Sequence, residues 1–183
     1  MVVFIFQKES LKLLGVQQLT TTSAEGWGLT HDTNSIIVSD GSSFIDFFDI
    51  PLSSVYSESH RDRKIFDPWT FQRRIQVIDG DGKPVKHLNE LEYVDGYLFA
   101  NIWYQDIIVK IDINSGRVVQ SFNLDDLFPV SKRPRTADCM NGIAFNSENN
   151  EFLITGKQWP TSFLIKLNQR LLSEDVAPAS ELR

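Results

Sequence analysis

NELEYVDGYLFANIWYQDIIVKIDI, residues 89–113, carries the pattern that decides the fold. A polar opener at Asn89 leads into a short strand, a turn at VDG, a second strand YLFANIW, a polar and aromatic interruption, and a third strand IIVKIDI. The same order recurs upstream in WGLTHDTNSIIVSDGSSFIDFFDI (27–50) and downstream in NGIAFNSENNEFLITGKQWPTSFLIKL (141–167). Further strand-like runs are RRIQVID and RVVQSFNL, and the turn clusters HDTN, DGS, DGDGKP, NSG and NSENN lie between runs. No window sustains apolar residues at i, i+3, i+4 and i+7, so the chain is all-β with few, short helices.

The openers Trp27, Asn89 and Asn141 stand about 62 and 52 positions apart. A repeat near 50 residues made of several short antiparallel strands is the signature of β-propeller blades. A single blade cannot bury both faces, so blades stack around an axis and equivalent positions converge in space. Convergence would bring Trp27, Asn89 and Asn141 together with residues one strand later: Ser39 and Asp40, Asn101 and Trp103, and Lys157. About three blades can be counted, with a partial strand or two in residues 1–24. The expected domain is a partial propeller over 1–170. Within it, the polar, aperiodic IPLSSVYSESHRDRKIF (50–66) reads as an inserted surface loop, and 171–183 as a polar tail. An open arc leaves blade faces and strand edges unpaired, which invites self-association.

Composition removes several classes of function. At 183 residues, 42% hydrophobic and 11% aromatic, the chain can support a packed core. A formal charge of −6 and the lack of a basic stripe argue against nucleic acid or an anionic membrane as partner. The single cysteine, Cys139, excludes an internal disulfide and a cysteine-cluster metal site, and none of His31, His60 and His87 sits in a motif with it. No apolar run reaches the roughly 18 residues of a membrane span. MVVFIFQKES lacks a basic n-region and a small-residue cleavage site, so it reads as a strand. Its abrupt start suggests that sequence is missing upstream. DGDGKP (79–84) opens like a calcium loop but lacks the later glutamate, and reads as a tight turn. Nothing in the chain assigns a compartment.

Each polar or aromatic interruption has a packing reading beside a functional one. Trp27, between two glycines, would fill the space between blades; Asn89 and Asn141 would cap turns; Trp103 would pack within its blade. Lys157, between Gly156 and the Trp159 region, is better placed to be held than merely solvated. Glu90 and Glu92 alternate with apolar residues and read as structural or solvated.

Taken together, EGWGLT (25–30), VSDGSS (38–43), GKPVKHLNELEYVDGYLFANIWYQDIIVKID (82–112), MNGIAF (140–145) and ITGKQWP (154–160) resemble the glutamine cyclotransferase family. This is the plant and bacterial type of glutaminyl-peptide cyclotransferase, and the resemblance covers roughly residues 24–167. It implies a five-bladed propeller and intramolecular acyl transfer on peptides or proteins with an N-terminal glutamine, giving pyroglutamate and ammonia without cofactor or metal. By motif, Trp27 and Trp103 match the aromatic walls of the family's site. Asn89 matches the amide that orients the substrate, Lys157 the cation near the carboxamide oxygen, and Asn141 joins them as a substrate-binding residue. The family's earlier blades, which supply the acid that receives the substrate amine, have no counterpart here. The chain therefore resembles an amino-terminally shortened member, expected to associate and to be nearly inactive alone. The candidate substitutes for that acid are Asp40, Glu90 and Glu92, none of which matches the family position. A propeller remnant that binds peptides or a partner chain without catalysis is the alternative. A metal-dependent hydrolase is weaker, because the openers are Trp, Asn and Asn rather than carboxylates.

Overall fold

The computed structural model describes residues 1–49 and 69–167; the expected loop at 50–66 and tail at 171–183 lie outside the described residues. Among the described residues there are four antiparallel sheets and one short 3-10 turn, Val130–Lys132. A hairpin of β1 (Val2–Phe6) and β2 (Leu13–Gln18) comes first. The first four-stranded sheet holds β3 (Gly28–His31), β4 (Ser35–Ser39), β5 (Phe44–Asp49) and β6 (Thr70–Gln76) in sequence order. The second holds β7 (Leu88–Val94), β8 (Tyr97–Ile102), β9 (Ile107–Asp112) and β10 (Val118–Asn123). The third holds β11 (Met140–Asn146), β12 (Glu151–Gly156) and β13 (Phe163–Ile165). These three meanders are the three sequence repeats, and each is a propeller blade. The β7–β8 turn shows the local chemistry at work. Asp95 and Gly96 both have positive φ (47° and 85°), the conformation of a two-residue type I′ hairpin, which Asp-Gly adopts readily.

Alternation along the strands explains why the runs look continuously apolar. Ile37 of β4, Leu98 and Ala100 of β8, and Val109 and Ile111 of β9 pack between the first two blades. Their sequence neighbours turn the other way: Ile36 and Val38 toward the hairpin, and Phe99 and Ile108 toward Met140, Ile143, Phe152 and Ile154 of the third blade. Successive side chains of a strand point to opposite faces, and a blade with a neighbour on each side buries both. At the ends of the series apolar side chains remain exposed, among them Val2, Phe4, Phe6, Leu13 and Val16 in the hairpin and Leu153 and Leu164 in the third blade.

Polar side chains staple one blade to the next at equivalent places. Thr30 Oγ1 accepts from Tyr93 N across the first junction (3.2 Å), and Glu92 Oε1 accepts from Phe145 N across the second (2.9 Å). Ser39 Oγ donates to the Asn89 carbonyl (2.6 Å) while accepting from Gly28 N (2.9 Å). At the equivalent place one blade later, Asn101 Oδ1 accepts from Gly142 N (3.2 Å). Ser39 and Asn101 are fully buried. Of the residues expected to converge at the mouth, these two serve blade packing. The first junction is close: a Cβ on Gly28 would lie 2.1 Å from the Asn89 carbonyl oxygen, so only glycine fits.

Candidate functional site

Where the inner strands of the three blades begin, their backbones depart from regular pairing. In β7 the register runs from Leu88↔Ile102 to Leu91↔Ala100, leaving Asn89 and Glu90 opposite Asn101 alone. In β11 it runs from Met140↔Gly156 to Ile143↔Ile154, leaving Asn141 and Gly142 opposite Thr155. Both are β-bulges, which re-aim side chains and are common beside active sites. β3 pairs without a shift, and there the opener is the larger Trp27.

The outgoing strands repeat their geometry too. Trp103 N donates to the His87 carbonyl (2.8 Å) and Lys157 N to the Cys139 carbonyl (3.0 Å), each acceptor lying two residues before an opener asparagine. Trp103 and Lys157 are therefore the same position in successive blades. Each is followed by a left-handed residue, Tyr104 (φ 62°) and Gln158 (φ 57°), which turns the chain away from the mouth. Gly41 stands at the corresponding place in the first blade. Its missing side chain leaves room for the Trp27 ring, whose nearest atoms would be 2.6 Å from a Cβ there.

These devices bring Trp27, Asn89, Trp103, Asn141 and Lys157 to the wall of one cavity of about 350 Å³. The two tryptophans meet edge to face with 4.9 Å between centroids, and Lys157 Nζ lies 5.8 Å from the Trp103 ring centroid. Trp27 Nε1 donates to Glu25 (2.6 Å), which fixes the ring's orientation. Asn89 is buried, and the Oδ1 of Asn141 is a buried acceptor without a hydrogen-bond partner among the described residues. An unpartnered buried acceptor is costly and suits a ligand N–H.

Besides Glu25, which holds the Trp27 ring, the acids Asp40, Glu90 and Glu92 separate cleanly. Burial would raise the pKa of Asp40, but hydrogen bonds from Ser42 and Ser23 outweigh it and hold the carboxyl below its ordinary range; it anchors a loop. Glu92 is committed to the backbone of Phe145. Glu90, in the β7 bulge, makes no side-chain hydrogen bond among the described residues. Burial pushes its pKa up, opposed by the charge of Lys157. Sequence alternation alone leaves Glu90 a structural or solvated residue, because it cannot register the bulge; the Asn-Gly pair at 141–142 inside a strand is the sort of signal that marks one.

A family model described as glutamine cyclotransferase matches residues 1–61 and 53–167. The chain belongs to the glutamine cyclotransferase family. A glutaminyl-peptide cyclotransferase of Arabidopsis thaliana is 31% identical over 147 residues, which is 79% of this chain and 41% of the plant protein. The crystal structure of Myxococcus xanthus glutaminyl cyclase superposes with a TM-score of 0.66 at 26% identity, over 84% of this chain and 58% of the bacterial one. The chain thus spans about two fifths to three fifths of the length of these family relatives.

Proposed function

We propose that the cavity between the blades binds the N-terminal glutamine of a peptide or protein and cyclises it to pyroglutamate. The neutral α-amine attacks the side-chain carboxamide carbon, a ring C–N bond forms, and the original C–N bond breaks. The amine's proton ends on the departing nitrogen, which leaves as ammonia. Trp27 and Trp103 wall the side chain so that its two ends meet, which converts binding energy into proximity. Asn89 orients the carboxamide, and the open acceptor of Asn141 takes one of its N–H groups. Lys157 places positive charge where the carboxamide oxygen becomes an oxyanion, favouring the tetrahedral intermediate over the neutral ground state. Glu90 follows Asn89 in the β7 bulge and feels the charge of Lys157; burial raises its pKa, and we assign it the proton-holding part.

The observation that carries this reading is the shared cavity: five residues drawn from three blades, all in the family's motifs, line a space of side-chain size. The test is ammonia release from a glutamine-initiated peptide by the chain of residues 1–183. Slow release is expected, below the roughly 1 s⁻¹ typical of enzymes, and it should fall about a hundredfold or more in Lys157→Ala. Peptide binding with no ammonia above the uncatalysed background would instead mark a binding module.

A further inference from the structure

A second, larger cavity of about 1060 Å³ opens on the other side of Trp103. It lies between the second and third blades, bounded by the β8–β9 turn and the long connection from β10 to β11. The two cavities share the Trp103 side chain, and they adjoin again where Asp138 N donates to the Lys157 carbonyl (2.8 Å). We propose that this groove holds the peptide chain that follows the substrate's first residue, a role that rests on the cyclotransferase reading of the smaller site.

The groove is built, not a gap in loose loops. Arg133 pins the β10–β11 connection: it donates to Asp106 and to the Phe128 carbonyl (2.7 Å), and its guanidinium lies 4.8 Å from the Trp159 centroid. Trp159 in turn donates to the Asp138 carbonyl (2.8 Å) and packs against Phe128 and Phe163. The conspicuous tryptophan of ITGKQWP thus holds the groove's wall and takes no part in the smaller cavity. With Arg133 and Asp106 paired, the charges facing the groove are mixed in sign, which favours neither an acidic nor a basic partner. Its exposed apolar surfaces include Tyr104, whose ring is tilted 36° against Trp103 with 4.2 Å between centroids, and Val130, which is 74% exposed. An extended peptide advances about 3.3–3.6 Å per residue, so a few residues beyond the first would occupy such a groove, with apolar side chains preferred.

The experiment is a calorimetric titration of the chain of residues 1–183 with glutamine amide and with the amidated tetrapeptide Gln-Leu-Ala-Leu. Affinity for the tetrapeptide is expected to be about tenfold tighter. Val130→Glu combined with Arg135→Glu, both at exposed positions of the groove, should remove that gain and leave glutamine amide binding unchanged. Equal affinities for the two ligands, no binding of either, or a double variant that weakens both alike would overturn the groove assignment. A tetrapeptide beginning with Ala instead of Gln, if it bound as well and remained sensitive to the double variant, would uphold the groove while overturning the cyclotransferase reading.

Discussion

Trp27 and Trp103 belong to adjacent blades, yet their rings meet edge to face, 4.9 Å apart at 72°. The contact couples the first blade to the second at the mouth of the cavity. Such pairs contribute about 0.5–1.5 kcal/mol beyond area burial. A double-mutant cycle of Trp27→Leu and Trp103→Leu, followed by denaturant unfolding, should return a coupling of that size. Additive single mutants would show that the rings pack independently.

Lys157→Ala should lower kcat of the cyclisation about a hundredfold or more while changing KM little. In the proposed reaction the cation would be needed once the carboxamide oxygen carries charge, and much less when neutral substrate binds. Steady-state kinetics on a glutamine-initiated peptide decide the point. A raised KM with unchanged kcat would make Lys157 a binding residue only.

Ser39→Ala should destabilise the fold by about 1–3 kcal/mol, although Ser39 does not line the cavity. The hydroxyl is fully buried and satisfies both the Asn89 carbonyl and Gly28 N, and its loss leaves two buried backbone groups unpaired. Thermal or urea denaturation measures the loss. A stability equal to that of the parent would mean that water or a shifted backbone restores both bonds.

Stability should also depend on Glu90 in a definite direction. Burial raises its pKa above the ordinary 4.5, with Lys157 opposing. The folded state therefore holds this proton more tightly than the unfolded chain does. The resulting stability is complete below pH 4.5 and is lost as pH rises through the raised folded value. Comparing melting temperatures of the parent and Glu90→Gln across that range should show the variant gaining on the parent as pH rises. Parallel curves would remove Glu90 from the titrating groups.

Much of this was legible from the chain itself. Strand runs, turn residues and the spacing of Trp27, Asn89 and Asn141 specify blades, because a strand buried on both faces must read as a nearly unbroken apolar run. Motif order alone pointed to the family and to the five cavity residues. Other assignments could not be read in this way. Ser39 and Asn101 carry the same polar signal as the cavity residues, yet they point into the blade junctions. Glu90 reads as a solvated or structural acid until the bulge at Asn89–Glu90 is seen.

The sequence by itself determined the blade repeat and the all-β class, since these follow from local pattern. Only the tertiary structure decided which polar groups face the cavity and which staple blades, that Trp159 supports a groove wall, and that Trp27 lies over Gly41. Those outcomes depend on bulges and on blade-to-blade contacts between residues far apart in the chain, for example Ser39 with Asn89 across 50 positions and Thr30 with Tyr93 across 63. Local periodicity carries no record of such contacts, because a one-residue shift in register reverses every side chain's face.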